Sequence, residues 1–559
     1  MTDYDAIIIG AGHNGLAAGA VLAKRGLRVL NLEKNRYVGG MAGSREILTD
    51  CRNDVGASLV FPLAREIIDE LEFERYGAEF IDLPVMACNL SAPGVPPLIL
   101  YPSAVKMAAH MLRHFGLRAM LGFIRLMLFC RYPAKTMDRF TPRSTPRSLD
   151  ALLADAPNRR AREQLQLAFT GSAMDLIDRF FPDKVRHRAL RAMLSFAAIQ
   201  STYKGPYTPG SALCLVYTLA TNDDGGLMRR VRGGIGSLSE ALARCIEDHG
   251  GEVRLRTPVQ RIVIEDGKAV GVELKGGERI TARAVLSNLD KPATYFRLVG
   301  EGHLPEGLAD QVRKIEHRGA FIHMSFKLRA LPRYGGPWAA LNEDIHNAFN
   351  VALVPDPEQM QASFEACRRG ELPEHPPVAL QIPTIVDPSL APEGFHTASA
   401  YGFYFPCEAP KEERGKLRDR MAERVIDRIT EYMPDFRECI EEKAVFSSDH
   451  FATMHGATHG DFTHGLIHPE QMLGLRATME GAAHATPIEN LYLCGASCHP
   501  GPGVTFLPGY GAARELLQRW EARADSISPP AAAFEQPGSE PRPGSCDRSA
   551  EPGRMGAVG

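Results

Sequence analysis

With 559 residues, the chain is long enough for a large core and two or more structural units. Hydrophobic residues make up 44% and charged residues 23%, and the formal net charge of -3 gives no case for a nucleic-acid partner. Eleven cysteines lie scattered without a CxxC pair, which argues against a zinc knuckle or a disulfide scaffold and fits a reducing compartment.

No run of about eighteen apolar residues occurs, the length that a membrane-spanning helix needs. The chain starts directly on the strand-like "YDAIIIGAG", without the basic and apolar segments of a signal peptide. A cytoplasmic location is therefore expected.

The stretch "DAIIIGAGHNGLAAGAVLAKRGLRVLNLEK" opens a cofactor domain, first segment 1–71. Ala6 to Ile9 reads as a short buried parallel strand. Gly10, Gly12 and Gly15 form GxGxxG directly after it, Leu16 to Lys24 predicts a helix, and Gly26 ends that helix. "LRVLNL" is the next strand, closed by Glu33, 23 residues after Gly10. Strand, glycine turn, helix and acid at these offsets predict a dinucleotide site. The turn and helix N-terminus cradle the pyrophosphate, and Glu33 accepts from ribose hydroxyls. His13, Asn14 and Lys34 sit inside or beside these elements and are assigned to the same site. Gly39 and Gly40 offer a second close backbone approach, which suits a long, extended dinucleotide. Arg36 reads equally as a phosphate partner or a solvated surface residue, and "NDVGASLVFP" as a cofactor-side loop and strand.

Residues 72–224 read as a mostly helical substrate segment with breaks such as "SAPGVPP" and "RFTPRSTPRS". Within it, 105–135 carries Lys106, Arg113, Arg118, Arg125, Arg131 and Lys135, with no acid from Tyr101 to Met137. Two readings stand: a helix packed on the core with a basic outer face, or a surface for peripheral contact with the inner face of a membrane or for a greasy substrate entrance. "STYKGPYTPGSALCLVYTLA" lines a pocket or packs as a buried helix.

Residues 225–290 return to the cofactor domain. Gly233, Gly234 and Gly236 precede a helix from about Leu238 to Asp248, with Ser237 as N-cap and Glu240 as its capping-box partner. Three strands follow, with turns at Asp266-Gly267 and Gly276-Gly277. Val259 backbone groups are placed at the adenine end and "AVLSN" near the pyrophosphate. Residues 291–484 form the second substrate segment, with "FIHMSFKL" a half-buried strand and "HTASAYGFYFP" another. Residues 485–524 close the cofactor domain. There "NLYLCG" is a strand, "GASCHPGPGV" brings Cβ-poor backbone over the cofactor, and "PGYGAARELLQRW" starts a helix whose positive end suits an anionic reduced flavin. Residues 525–559 have no apolar periodicity and read as a disordered tail.

The pieces "IIIGAGHNGLAAGAVLAKRGLRVLNLEK", "VGG", "VRGGIGSLSEALA", "VALQIPTIVDPSLAPEGFHTASAYGFYFP", "THGLIHPEQMLGLR" and "LYLCGASCHPGPGV" span nearly the whole chain except the tail. In this combination the chain resembles the phytoene desaturase-like FAD-dependent oxidoreductase superfamily, in the branch of beta-carotene ketolase-like proteins and pyridine nucleotide-disulfide oxidoreductase domain-containing protein 2. The resemblance implies an α/β fold: a Rossmann-like, p-hydroxybenzoate-hydroxylase-like FAD-binding domain with an interleaved α+β substrate domain facing the flavin. It also implies redox chemistry on an apolar, polyene-like substrate. Carried over by position, Gly10, Gly12, Gly15, Glu33, Gly39 and Gly40 approach the dinucleotide, while Gly495, His499, Pro500, Gly501, Gly503 and Val504 form a C-terminal flavin loop. The chain departs from the family pattern at Pro502, at "LPGYGAARE", and where a "HGxxSxDQ" pattern becomes His464 to Gln471.

Seven of the eighteen histidines fall between His450 and His499, but without a metal-ligand template, so no metal is assigned. His499, His464 and His468 are the catalytic candidates, as groups that orient substrate or bond near the flavin. Cys494 and Cys498 are too far apart in sequence for a CxxC, which excludes disulfide-reductase chemistry. Three functions stay open. They are hydride removal from a hydrophobic substrate with reoxidation by oxygen or a quinone, amine oxidation of a polar substrate, and a flavin-stabilised interaction protein with little turnover. The sequence assigns no oligomeric state.

Overall fold

The computed structural model describes residues 2–137, 146–220, 227–476 and 482–527; the tail assigned from 525 falls almost wholly outside them, as does most of "RFTPRSTPRS". Met1–Leu516 forms one compact unit, and Leu517 onward a second, whose described part is the end of the helix Leu507–Ile527.

The first sheet has seven strands. The strand Tyr4–Ile9 lies between Val29–Leu32 and Arg279–Ser287, parallel to both, and Glu252–Arg254 extends the sheet beyond Val29–Leu32. The end of Arg279–Ser287 also pairs in parallel with Leu491–Leu493, while its start joins the antiparallel Lys268–Leu274 and Val259–Glu265. Ile7, Ile8, Leu30 and Leu32 are all fully or almost fully buried, as expected for strands covered on both faces. Register explains a later feature of the site: Ile9 stands opposite both Leu32 and Ser287, so the residues after these three strands converge.

The helix His13–Lys24 follows the glycine turn, and Gly26 with its positive φ of 75° closes it. The helix Gly236–Asp248 packs against it. Its N-terminus is not capped by Ser237 and Glu240. Ser237 Oγ donates back to the Arg232 carbonyl, and Glu240 pairs with Arg52. The free amides are met from another part of the chain: Gly236 N–H donates to Ser44 Oγ and Ile235 N–H to Asp54 Oδ1. A Cβ on Gly236 would stand 2.2 Å from the Ser44 nitrogen, so the glycines serve this close approach rather than a local cap.

The second sheet also has seven strands, in the order Ile440–Ser447, Phe321–Leu328, His396–Phe403, Val378–Gln381, Asn350–Leu353, Ala87–Leu90 and Leu98–Leu100. The segment read as mostly helical thus supplies two strands to this sheet before its helices begin at Ala104. Runs as short as "LIL" show no periodicity from which a strand could be told. Phe321–Leu328 is buried at every residue, not half-buried. It lies between two neighbouring strands, with the helix Lys411–Thr430 against one face. Alternate residues of the sheet, among them Leu353, Leu380, Ala400 and Met324, pack with Met421 and Val425 of that helix into one core.

A helical layer completes the unit. Gly116–Thr136, Arg159–Thr170, Ala173–Phe180, Arg188–Ala197 and Ser211–Leu219 share a core built on Leu126, Phe129, Leu165, Ile177, Leu190 and Leu213.

Candidate active site

Between the two sheets lies a cavity of about 890 Å³. Its cofactor half is built by the convergence noted above. Gly10 adopts a φ of 94°, and a Cβ on Gly15 would stand 2.2 Å from the Gly10 carbonyl oxygen. Asn288, directly after Ser287, closes the turn: its amide group faces Gly10, Gly12 and Gly15, and with Oδ1 turned toward the helix it accepts from the Gly12 and Gly15 amides. Glu33 is buried. One of its oxygens accepts from the Ala11 amide at 2.9 Å and the other from the Asn35 amide at 2.9 Å. Gly39 donates to the Ala11 carbonyl at 2.7 Å, which brings the second glycine pair against the first turn.

Apart from His499, fifteen residues are assigned to the cofactor from sequence, and eleven of them line the cavity: Gly10, Gly12, His13, Asn14, Glu33, Lys34, Gly39, Gly40, Val259, Gly503 and Val504. Gly15, Gly495, Pro500 and Gly501 do not reach its surface. Gly15 and Gly495 serve close packing, since a Cβ on Gly495 would stand 2.8 Å from the Asn288 carbonyl oxygen. Gly501 leaves room for the Tyr217 hydroxyl, which bonds the Pro502 carbonyl at 2.6 Å. Arg36 is exposed and lies outside the cavity lining. "NDVGASLVFP" contributes Gly56 to Leu59 and Phe61 to the wall, and "STYKGPYTPGSALCLVYTLA" contributes Ser201 and Tyr217 to Leu219.

The three histidine candidates part company. His464 lines the cavity, half-buried, with its Nδ1 out of solvent and unpartnered. His468 lies outside the lining: its Nδ1 meets Glu316 at 3.0 Å and its Nε2 accepts from the Tyr203 amide at 3.2 Å, so both ring nitrogens are used in holding loops together. His499 is buried near His484 and is also absent from the lining. Two further histidines, His13 and His455, do line it. Cys494 and Cys498 are free thiols, and burial pushes Cys498 up to about 11.

Arg476, at the end of "THGLIHPEQMLGLR", was not singled out by sequence reasoning. Buried, it donates to the Thr463 carbonyl at 2.8 Å, the Gly465 carbonyl at 2.9 Å and the Ala496 carbonyl at 2.7 Å. It thereby clasps the His464 loop to the loop after Leu491–Leu493. Asp290 was missed too. It lines the cavity but is spent on structure, accepting from the Ala293 and Thr458 amides and the Thr458 hydroxyl.

The site suits a dinucleotide with a flavin. The first-turn amides of the helix His13–Lys24 have no intrahelical partners by geometry. Asn14 Oδ1 and both ring nitrogens of His455 are buried, unpartnered and part of the lining. A cradle of glycine backbone, a ribose-ready carboxylate and idle polar atoms are what an extended dinucleotide requires.

The profile of the flavin-containing amine oxidoreductase family matches residues 15–509. The chain belongs to this family. It is 25% identical over 550 residues to pyridine nucleotide-disulfide oxidoreductase domain-containing protein 2 of Rattus norvegicus, covering 92% of this chain and 94% of that one. It is 28% identical over 535 residues to a chloroplastic prolycopene isomerase 2 of an Oncidium hybrid cultivar (90% and 81% covered). It is 26% identical over 557 residues to a limonene dehydrogenase component of Castellaniella defragrans (92% and 94% covered). These relatives place it in the phytoene desaturase-like branch. A solved oxidoreductase from Methanosarcina mazei shares the fold, with a TM-score of 0.57 at 16% identity over 92% of this chain and all of that one. The protein is an FAD-dependent oxidoreductase with an α/β FAD-binding fold.

Burial also sets a pH response. Desolvation pushes His323 and His455 down to about 3, and His13 and His484 down to about 4. The unfolded chain binds these protons below about pH 6.5, the folded chain only near 3–4. Their stabilising effect is therefore complete above pH 6.5 and lost as pH falls, by up to about 2 kcal/mol per group at pH 5. The urea midpoint is expected to drop steeply between pH 7 and pH 5; a flat or rising midpoint contradicts the burial of neutral imidazoles.

Proposed function

We propose that the protein removes hydride from a neutral, hydrophobic, polyene-like substrate and passes the electrons to oxygen or a quinone. One observation carries this reading: the charged side chains of the lining are Glu33, Lys34, Asp290 and Arg297, all in the cofactor half. The substrate half has none. Its floor is one face of the second sheet, where Ala87 and Asn89, Asn350 and Ala352, Ala379 and Gln381, and Tyr401 and Phe403 project by strand alternation. Met193, Phe196, Phe61 and Phe321 add apolar wall. The amides on the floor are already engaged: Asn89 donates to the Leu98 carbonyl, Asn350 to the Met86 carbonyl, and Gln381 accepts from Ser58.

Such a wall excludes water and aligns an apolar chain by shape. A protonated amine would lose its hydration there with no carboxylate to replace it, which is costly. The names of the prolycopene isomerase and the limonene dehydrogenase are those of proteins acting on hydrocarbons, which supports the same substrate class. Bound FAD supplies the hydride-accepting ring. His464, kept neutral by burial, offers an unpartnered Nδ1 able to take a proton in the Nε2–H tautomer. Tyr217 and Arg476 fix the Pro502 and Ala496 backbone that borders the same cavity.

The reading is tested by ligand titration of the oxidised protein. Neutral terpenoid or carotenoid hydrocarbons in micelles are expected to shift the flavin absorption bands saturably, and polyamines to leave them unchanged. The opposite pattern would favour amine oxidation.

A further inference from the structure

The helices Ala104–His114 and Gly116–Thr136 carry apolar side chains on the wrong side. The second helix buries Ala119, Gly122, Leu126, Phe129, Cys130 and Pro133 against the helical core. At 3.6 residues per turn, Leu117, Leu121, Ile124 and Leu128 fall within an arc of roughly 60° on the opposite face. There they are between 39% and 57% exposed. A helix on a water-facing surface ordinarily shows polar residues at these positions. With Val105 and Leu112 of the preceding helix, these make six of the twelve exposed large hydrophobic residues among the described residues.

The charge beside this stripe has one sign. Arg118 and Arg125 run along one edge of it, Arg113 stands at the junction of the two helices, and all three are exposed without an ion pair among the described residues. Neither helix contains an acid. An aliphatic stripe bordered by unpaired guanidinium groups matches the boundary between acyl chains and anionic headgroups. A second protein chain would more often be met by an aromatic-rich, charge-depleted patch. No helix among the described residues is long and apolar enough to cross a membrane, so the contact would be peripheral.

We infer that the helix pair Ala104–Thr136 docks on an anionic lipid surface, with Leu117, Leu121, Ile124 and Leu128 entering the acyl boundary and Arg113, Arg118 and Arg125 meeting phosphate groups. The placement has a use. Gly116–Thr136 packs on Ser211–Leu219, and that helix lines the cavity with Tyr217, Thr218 and Leu219. One helical layer thus has the docking face on its outside and the cavity wall on its inside, a short route for a substrate dissolved in lipid.

The test is co-sedimentation of the FAD-loaded protein with phosphatidylcholine vesicles, with and without phosphatidylglycerol. Binding to the anionic vesicles that weakens with salt is expected. Arg118→Gln with Arg125→Gln should reduce it roughly tenfold or more. Leu117→Ser with Leu121→Ser and Leu128→Ser should abolish it while flavin content stays that of the parent. The arginine variant, altered only at exposed side chains, keeps the test valid if the leucine variant fails to fold. No binding by the parent, equal binding by the arginine variant, or a concentration-dependent dimer that the leucine substitutions dissociate would each overturn the inference. None of these readouts depends on which substrate reduces the flavin.

Discussion

Gly509→Ala is expected to yield protein that has lost most of its flavin and about 3 kcal/mol of stability. An added Cβ would stand 1.8 Å from the Asn14 carbonyl oxygen and 2.7 Å from its carbon. Both partners are backbone, so no side chain can turn aside. One belongs to the helix His13–Lys24 and the other to the helix Leu507–Ile527. Relief requires the two helix starts to separate, and Asn14 on one and Val504 just before the other line the cavity. Gly15→Ala should behave alike, because its Cβ would meet the Gly10 carbonyl oxygen at 2.2 Å. Gly415→Ala is the control: no atom lies within 4 Å of its Cβ, inside the helix Lys411–Thr430, and a neutral or slightly stabilising effect is expected. The flavin-to-protein absorbance ratio and the urea midpoint report both quantities. Full flavin and an unchanged midpoint in Gly509→Ala would mean that the two helix starts do not meet in this way.

Arg230→Ala is expected to cost about 3–5 kcal/mol, since it strands a buried carboxylate. Arg230 donates to Asp54 Oδ2 at 2.7 Å and to the Ser58 carbonyl at 2.9 Å, with both ionised side chains almost fully buried. Asp54 also accepts from Ser44 Oγ at 2.6 Å and the Ile235 amide at 3.0 Å. This network joins the hairpin Ser44–Leu48 and Cys51–Asp54 to the start of Gly236–Asp248 and holds the Gly56 to Leu59 wall of the cavity. Weaker flavin retention should accompany the loss. A urea midpoint corresponding to less than 1 kcal/mol would show that the pair is dispensable. A conservative Asp54→Asn should fall between, since it keeps an oxygen for the Ile235 amide but removes the charge that Arg230 needs.

The cofactor half was legible because its signals are local. Strand, GxGxxG, helix and Glu33 occupy one stretch, and each has a single physical task. "AVLSN" was placed near the pyrophosphate from sequence, and strand register brings its last residue, Asn288, against Gly10 and Gly12. What escaped was assembled from distant short pieces. The cavity floor uses strands of four residues at Ala87–Leu90, Asn350–Leu353 and Val378–Gln381, too short to show alternation. The Ser237–Glu240 spacing resembles a capping box, yet the helix starts one residue earlier, at Gly236, and Ser44 and Asp54 take the Gly236 and Ile235 amides across some 190 residues of sequence. Sequence proximity to the final glycine loop points to His499, and the histidine-rich pattern from His464 to Gln471 points to His464 and His468. Of these candidates the cavity takes only His464, and it adds His13, at the start of the helix His13–Lys24, and His455, at the end of the helix Ser448–His455. Nothing in the spacing of histidines distinguishes one that faces a cavity from one that ties loops together, as His468 does with Glu316.

We propose that a wall without charged side chains faces the flavin and selects a neutral hydrocarbon for oxidation. The most direct test is anaerobic addition of a neutral lipid extract to the purified FAD-loaded protein while the visible spectrum is recorded, with a polyamine mixture in parallel. The extract is expected to bleach the oxidised flavin bands, air or a quinone to restore them, and polyamines to leave them untouched. Bands that persist with the extract and bleach with polyamines would contradict the proposal.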